Sequence, residues 1–301
     1  MIIVVHKEAH NQRIDKFLSE QFPNLTRSYI QKNIKNGCVL ANDKVCKASY
    51  KVQEADKIQF EIPEPETLDV IPQDIPLDIL YEDQDVLIVN KPKGMVVHPA
   101  PGHPDQTLVN AVLFHCKDSL SGINGVIRPG IVHRIDQDTT GSLIICKNDK
   151  AHVDIAQQIK DHSVNRIYRG IVIGNVIKDE GTIVGAIGRD RRDRKKMTID
   201  NENGKPATTH YRVLQRFSGY TYMEFKLETG RTHQIRVHMS SIGHPLLGDE
   251  IYGPQQKRPK FHLQGQTLHA MTIGFIHPTT KEYMEFEAPL PEYFVHLLEI
   301  L

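Results

Sequence analysis

Residues 128–141, with the sequence RPGIVHRIDQDTTG, place one carboxylate, Asp136, in a short polar stretch between apolar residues. The chain becomes apolar again at 143–145, and this order predicts a strand, a turn and a second strand, with Asp136 on the turn. A carboxylate on a tight turn beside Arg134 suits a nucleophile or a charge stabiliser better than a core position. The alternative is an aspartate that caps the turn, although Asp138 could serve in that role.

The bulk composition is that of a soluble globular protein, with 39% hydrophobic and 25% charged residues. A chain of 301 residues predicts roughly two domains. Lysine plus arginine and aspartate plus glutamate balance at 37 each. A nucleic-acid partner would therefore have to bind basic residues that are segregated into patches.

Targeting and metal signals are weak. Residues 1–5 are apolar but too few for a signal peptide, and no later run approaches the length of a membrane span. We therefore expect a cytoplasmic protein with no membrane contact. The cysteines lack CxxC spacing, so we expect reduced thiols and no metal site at Cys38, Cys46, Cys116 and Cys146.

The first 62 residues predict a small domain of their own. Apolar residues repeat at helical spacing over 14–22 and again over 30–34, and Gly37 is placed to end the second helix. Short strand-like pieces follow around 39–40, 45 and 58–60. Basic side chains on the two helices form either an RNA-binding surface or an ordinary solvated face: Arg13, Lys16, Arg27, Lys32 and Lys35.

Residues 63–78 are rich in proline and acidic residues and predict a stiff linker. The acidic residues would repel RNA phosphate, so we expect the linker to face away from the substrate. The remaining residues, 79–301, mix strands and helices without a regular βαβ repeat. We predict strands over 86–90, 141–146, 166–173, 208–217 and 221–228, and helices over 106–115, 149–162 and 231–242.

This mixture predicts the α+β class: a mixed, largely antiparallel sheet with flanking helices over 79–301, and a small α/β domain at the N-terminus. The stretch 128–141 resembles the catalytic motif of the RluA-type RNA pseudouridine synthases, in which the aspartate is the essential residue. Ile135 stands where that family usually has leucine, and Thr140 where it often has serine; both changes are conservative. Further stretches similar to the family lie at 90–99, 166–170, 227–238 and 268–278.

Residues 10–60 resemble the S-four-like RNA-binding domain, first known from a ribosomal small-subunit protein. The likeness therefore covers nearly the whole chain, and it is strongest to family members that carry this module and act on large-subunit ribosomal RNA. It implies an isomerase that converts uridine to pseudouridine in RNA, with no metal or organic cofactor. We expect the enzyme to be a monomer.

The resemblance implies three catalytic residues. Pseudouridine formation detaches uracil from the ribose, turns the base and rejoins it through C5. Asp136 would be the carboxylate beside the sugar or the base, and Arg231 would pair with it and favour its charged form. Tyr168 would stack on the displaced base or take part in proton transfer at C5.

Each of these residues also has a structural interpretation. By residue type alone, Tyr168 is better explained as a core tyrosine on a strand, and Arg231 could be a surface arginine on a helix. Arg236 and His238 follow on the same predicted helix as weaker candidates, for contacts with backbone phosphate only.

The resemblance further implies that Arg134 enters the RNA helix and fills the space of the target nucleotide, whose reacting atoms are inaccessible while it is stacked. The alternative is a local salt bridge to Asp138. His133 is grouped with Arg134 as an RNA contact, and Lys91 either touches phosphate or lies on the surface. A dense basic cluster is predicted as a phosphate clamp, with a mobile solvated loop as the alternative: Arg189, Arg191, Arg192, Arg194, Lys195 and Lys196.

Two rival functions belong to other classes. One is a non-catalytic RNA-binding or ribosome-assembly factor that uses the same surface. The other is a metal-dependent hydrolase, although His233 and His238 are five residues apart and lack the spacing of a helical zinc pair. The sequence leaves open the target uridines, ribosomal or transfer RNA as substrate, ribose or uracil as the point of attack, and the contribution of the N-terminal domain to binding.

Overall fold

The structure, a computed structural model, describes residues 2–22, 25, 27–61, 70–100, 102–117, 120–121, 130–193, 195–254 and 261–301. The described residues form two structural units, one up to residue 61 and one from residue 70 onwards. Within the described ranges, no helix is long and apolar enough to cross a membrane.

The N-terminal unit packs two short helices on an antiparallel sheet. In chain order its elements are β1 (Ile2–Val4), α1 (Ile14–Gln21), α2 (Arg27–Lys35), β2 (Val39–Ala41), β3 (Lys44–Val45) and β4 (Lys57–Phe60). The strands lie in the order β1-β4-β2-β3. Both predicted helices are confirmed, and Gly37 follows α2 with a positive φ of 81°, as expected for a helix stop.

A buried carboxylate joins the two helices. Asp15 accepts hydrogen bonds from the guanidinium groups of Arg13 and Arg27 at 3.0 Å and from Gln31 at 2.5 Å. Burial alone would raise the pKa of Asp15, but the hydrogen bonds from Arg13, Gln31 and Arg27 outweigh it and lower the pKa below its usual range. The side chains of Arg13 and Arg27 nevertheless remain 47% and 49% exposed, so both can still meet a partner.

The larger unit contains the remaining helices and strands. In chain order they are β5 (Ile79–Glu82), β6 (Val86–Lys91), α3 (Leu108–Cys116), β7 (Thr140–Cys146), α4 (Asp149–Lys160), β8 (Asn165–Ile173), β9 (Glu180–Val184), β10 (Ile187–Arg189), β11 (Met197–Ile199), β12 (Thr208–Phe217), β13 (Tyr220–Leu227), α5 (Gln234–Ser241), β14 (Leu268–Ile276), β15 (Tyr283–Glu287) and α6 (Glu292–Ile300).

Among the described residues, nine strands form one sheet in the order β5-β6-β7-β14-β8-β13-β12-β9, with β15 paired to β14. The β7–β14 pair is parallel and the other pairs are antiparallel. Strands β10 and β11 form a separate hairpin. The predicted α+β class with a largely antiparallel sheet is confirmed.

The centre of the sheet is buried on both faces. All seven residues of β7 are buried, and their alternation divides them between two apolar layers. Leu143 and Ile145 pack in the layer that contains Tyr168 and residues of α5, whereas Ile144 packs in the layer that contains α4. The first of these layers forms the base of the candidate site.

The strand predicted before Asp136 is wrong. Ile131 makes only an isolated bridge with Ile145, and residues 132–136 have no regular structure. The side chain of His133 replaces a neighbouring strand here, because its Nε2 accepts the backbone N–H of Ile144 at 3.0 Å. Arg128 and Pro129 lie outside the described residues.

The predicted linker, 63–78, is only partly described. Residues 62–69 lie outside the described ranges, whereas Val70 and Leu77 pack against the core of the larger unit. The Asn110 side chain donates to the carbonyl of Ile71 at 2.9 Å. The domain boundaries at 62 and 78 stay predictions.

Gly141, at the start of β7, generates a stability prediction. Its φ is 110°, and a Cβ at this position would overlap the carbonyl oxygen of Ala270 on β14. Gly141→Ala must therefore force the parallel pair apart, and we expect it to lower the free energy of unfolding by about 3 kcal/mol. Urea unfolding of the purified variant measures this loss.

Gly219→Ala is the matched control. Gly219 also has a positive φ, 84°, but a Cβ there meets no atom within 4 Å. The control should lose only about 1 kcal/mol, from the left-handed backbone conformation. Equal small losses in the two variants would contradict the close approach of β7 and β14.

Candidate active site

Asp136 lies in the loop that leads into β7. The Thr139 N–H donates to the carbonyl of Asp136 at 3.1 Å, and the Gly94 N–H donates to the carbonyl of Gln137 at 3.1 Å. These backbone contacts hold the loop on both sides of the aspartate. The Asp136 side chain is 20% exposed, so the carboxylate is accessible.

Arg236, on α5, joins Asp136 to a second carboxylate. Its Nη1 donates to Oδ2 of Asp136 at 2.9 Å, while its Nε and Nη2 donate to Asp249 at 2.7 and 2.9 Å. The side chain of Asp249 is fully buried. Burial alone would lower the pKa of Arg236, but the hydrogen bonds and charges of the two carboxylates raise it further above its usual range. The site therefore contains a permanent positive charge.

The predicted ion pair between Arg231 and Asp136 is wrong, because the arginine that pairs with Asp136 is Arg236. Helix α5 begins at Gln234, later than predicted, and the Gln234 side chain accepts the backbone N–H of Arg231 at 3.0 Å. Residue 231 thus stays in the preceding loop, where its Nε donates to the carbonyl of Pro206 at 3.0 Å. Arg236 is the arginine that α5 turns toward Asp136.

A pocket lies between Asp136 and Tyr168. Its lining combines apolar side chains with polar ones, among them Ile135, Leu227, Leu268, Thr139, Gln234 and Arg231. Tyr168 is 8% exposed, and burial raises the pKa of its phenol. Tyr168 therefore offers the pocket a flat ring and a protonated hydroxyl at neutral pH. Asp136, Tyr168 and Arg231 all border this one pocket.

His233 faces Asp136 from the residue before α5. Its Nε2 lies 3.8 Å from Oδ1 of Asp136, and its Nδ1 lies 2.8 Å from the hydroxyl of Tyr252. Burial lowers the pKa of His233, so the imidazole is neutral at neutral pH. From the sequence, a structural or phosphate-binding role was favoured for His233 over a metal site, and Asp249 had no predicted role. The backbone of His233 is left-handed, with φ at 56°, which is invisible in the sequence.

Comparison with known proteins identifies the family. Residues 85–241 match the RNA pseudouridylate synthase family, and residues 12–58 match the S4 domain. The chain is 53% identical to an uncharacterized RNA pseudouridine synthase from Bacillus subtilis, over 99% of this chain and 97% of that protein. It is 43% identical to the ribosomal large subunit pseudouridine synthase D from Pseudomonas aeruginosa, over 98% and 93% of the two chains.

The chain belongs to the RNA pseudouridylate synthase family. It is an isomerase that converts uridine to pseudouridine in RNA. The structure is similar to that of human RNA pseudouridylate synthase domain containing 1, with a TM-score of 0.59 and 25% identity over 79% of this chain and 97% of that one.

Lys91 of this pseudouridine synthase is buried, so both alternatives expected for it, a phosphate contact and a surface position, are wrong. Its Nζ donates to the carbonyls of Pro92, Met95 and Gln137, each at 2.8 Å. The side chain is 1% exposed, and burial lowers its pKa to about 7. Lys91 therefore uses all three donors to tie the turn after β6 to the loop that carries Asp136.

Arg134 and His133 differ in their accessibility. Arg134 is exposed and borders both the Tyr168 pocket and a wider cavity that is also lined by Asp136. In the described part of the chain, no ion pair joins Arg134 to Asp138. His133 accepts the Ile144 N–H, and burial lowers its pKa to about 3, so it brings no charge to an RNA phosphate. The RNA contacts of both residues stay predictions.

The basic cluster lies on the loop between β10 and β11. Asp190 accepts the backbone N–H groups of Arg192 and Asp193, and Asp193 accepts that of Lys195. The two acidic residues thus order the turn. Exposed basic residues at the end of β10, on the described part of this loop and on α2 are Arg189, Arg191, Arg192, Lys195, Arg27, Lys32 and Lys35. Arg194 lies outside the described residues, and RNA binding by this set stays a prediction.

A possible metal-binding group was not expected. Among the described residues, Glu82, His115 and Cys116 offer ligand atoms within 4.8 Å of one another. Glu82 already pairs with Nζ of Lys147 at 2.7 Å and with His115 at 2.8 Å, which places a positive charge at the group. All four cysteines are free thiols. The absence of a functional metal stays a prediction.

The buried lysine generates a second prediction. Lys91→Met keeps the apolar stem and removes the ammonium, which leaves three carbonyls without their donor. We expect the free energy of unfolding to fall by about 3 kcal/mol and the turnover number to fall with it, because the Asp136 loop loses its tie. Thermal unfolding and a steady-state assay measure the two effects.

Lys281→Met is the control for this change. Lys281 is 61% exposed and pairs with Asp154 on the surface, so its loss should alter stability by less than about 1 kcal/mol. If Lys91→Met unfolds at the same temperature as Lys281→Met, the buried hydrogen bonds do not hold the loop.

Proposed function

We propose that this enzyme converts uridine to pseudouridine in large-subunit ribosomal RNA, with Asp136 as the essential carboxylate and the target base turned out of its helix. The observation that carries the proposal is an accessible carboxylate, hydrogen-bonded to a buried guanidinium, beside a pocket with an aromatic wall. Relatives named ribosomal large subunit pseudouridine synthase D, at 44% and 43% identity, support the choice of RNA.

The chemistry requires a carboxylate beside the ribose or the base. Glycosidic cleavage develops positive charge at the anomeric carbon, and a neighbouring carboxylate can stabilise that charge or bond to the carbon. Oδ2 of Asp136 is occupied by Arg236, so Oδ1, which faces His233 at 3.8 Å, is the oxygen better placed to react. Attack on the uracil ring by the same oxygen is compatible with this geometry.

Tyr168 and Arg231 would hold the base during its rotation. The phenol ring can stack on a uracil plane, and stacking on an aromatic ring tolerates rotation of the base within that plane. Detached uracil carries negative charge on its carbonyl oxygens. Arg231 is anchored through Nε at Pro206, and its remaining donors suit those oxygens.

RNA binding would extend over both structural units. The target base must leave its stack before its atoms can reach Asp136, and the exposed Arg134 at the pocket rim is placed to fill the vacated space. The β10–β11 loop and the N-terminal S4 domain would bind backbone phosphate, with Arg13, Arg27, Lys32 and Lys35 on the latter. We further propose that the enzyme acts as a cytoplasmic monomer, without metal or organic cofactor.

Asp136→Asn tests the proposal. Formation of the new bond at C5 releases the C5 hydrogen, so tritium release from RNA labelled at uridine C5 measures turnover. We expect Asp136→Asn to lower the rate on a large-subunit ribosomal RNA transcript by at least about a thousandfold, because a neutral amide can neither attack nor stabilise positive charge. Affinity for the RNA, measured by filter binding, should change less than about threefold.

Asp161→Asn is the matched control, since Asp161 caps the end of α4 and should leave the rate unchanged. An active preparation that keeps its rate after Asp136→Asn would refute the mechanism. A wild-type protein that binds RNA without releasing tritium from ribosomal or transfer RNA would instead indicate an assembly factor. Loss of activity on chelation would favour a metal-dependent reaction.

A further inference from the structure

We propose that Tyr252 is a positioning residue that couples the β10–β11 hairpin to the Asp136 site, so that RNA held by the hairpin stabilises the reactive arrangement. This inference rests on the proposed function, because it assigns the hairpin to RNA and Asp136 to the reaction. Tyr252 follows the buried Asp249 in a segment to which sequence reasoning gave no role.

The hydroxyl of Tyr252 joins the hairpin to His233. It accepts the backbone N–H of Met197, the first residue of β11, at 2.8 Å, and it lies 2.8 Å from Nδ1 of His233. Burial raises the pKa of Tyr252 to about 12, so the hydroxyl keeps its proton. A phenol that already accepts one hydrogen bond can donate its own proton to a second partner, here Nδ1 of His233.

This hydrogen bond determines where His233 carries its proton. A neutral imidazole that accepts at Nδ1 carries its hydrogen on Nε2. That atom is the one that faces Oδ1 of Asp136, at 3.8 Å. Tyr252 thereby directs an N–H group toward the oxygen that Arg236 leaves available.

Tyr252 also supports the ion pair of Asp136. Its ring lies under the guanidinium of Arg236, with 5.1 Å between the guanidinium carbon and the ring centroid. Its backbone N–H donates to Oδ1 of Asp249, the buried carboxylate that orients Arg236, at 3.0 Å. One residue therefore touches both side chains that face Asp136 and the carboxylate behind them.

The β10–β11 hairpin is the element that bound RNA would stabilise. Strands β10 and β11 form a two-stranded sheet of their own, and the described residues add an isolated bridge between Ile187 of β10 and Lys205. A two-stranded hairpin is marginally stable alone. It packs on α5 through a small apolar cluster in which Met197, Ile199 and Tyr252 cover Ile187 and Val237. Phosphate bound by the basic loop would therefore stabilise the same packing that positions Tyr252.

Tyr252→Phe tests the coupling, because it removes the hydroxyl and keeps the ring under Arg236. We expect kcat on ribosomal RNA to fall about tenfold and KM to change less than about twofold. A role in folding alone would not produce this split. Tyr81→Phe is the control, because Tyr81 is also a partly buried tyrosine with a hydrogen-bonded hydroxyl, which donates to Asp83. This change should leave kcat and KM unaltered.

A double-mutant cycle with the hairpin gives the sharper result. Arg191→Gln combined with Arg192→Gln should raise KM and lower kcat in the wild-type background. In the Tyr252→Phe background it should raise KM without lowering kcat further. An equal loss of kcat in both backgrounds, with an active wild-type enzyme, would overturn the coupling alone, whereas a wild-type enzyme without turnover would overturn the proposed function as well.

Nitrogen-15 NMR of the wild-type histidines provides a measurement that needs no variant to fold. We expect the resonances of His233 to show a proton on Nε2 and none on Nδ1. A proton on Nδ1 would overturn the assignment of the Tyr252 hydrogen bond.

Discussion

The shared guanidinium of Arg236 is the constraint on which the site depends. Asp249 is fully buried and takes two of its hydrogen bonds, which fixes the plane of the guanidinium and leaves Nη1 for Asp136. A carboxylate as buried as Asp249 is stable only with a partner, so the same contact supports the fold and orients the reactive residue. The position of Asp136 therefore depends on the pairing of Arg236 with the buried carboxylate of Asp249.

The remaining structure holds the two sides of that contact in place. On one side, Lys91 and the Gly94 N–H fasten the Asp136 loop to the turn after β6, and His133 fastens it to β7. On the other side, the Gln234 side chain fixes the start of α5. Both sides lie over the apolar layer that contains Tyr168, which is why the catalytic candidates meet in one pocket although they are far apart in the chain.

The sequence predicted the elements whose periodicity is strong. Helices α1, α2 and α4 and strands β6, β7, β8, β12 and β13 lie within about three residues of their predicted bounds. The short strands β9, β10 and β11 were not predicted, because three to five residues carry little periodic signal. The strand before Asp136 was wrong because a side chain, that of His133, satisfies the β7 backbone, and an apolar pattern cannot distinguish this from a neighbouring strand.

The sequence predicted which residues line the candidate site better than it predicted the contacts between them. Asp136, Tyr168 and Arg231 do line one pocket, and their roles stay predictions. The partner of Asp136 was misassigned because the start of α5 depends on two features that the sequence does not reveal. These are the hydrogen bond that the Arg231 N–H donates to the Gln234 side chain and the left-handed backbone of His233. Lys91 was misjudged because one of the carbonyls that bury it, that of Gln137, is distant in the chain.

A comparison of two arginines separates the observed ion pair from the expected one. We would measure the single-turnover rate of pseudouridine formation at saturating RNA for Arg236→Lys and Arg231→Lys, with thermal unfolding as the control for structure. Lysine cannot donate to both Asp249 and Asp136 in the planar geometry of a guanidinium, so Arg236→Lys should lower the rate by about a hundredfold or more. Arg231→Lys keeps a cation at the pocket and should lower it by less than about tenfold. A folded Arg236→Lys enzyme with a near wild-type rate, beside a severely impaired Arg231→Lys enzyme, would contradict the assignment of Arg236 as the partner of Asp136.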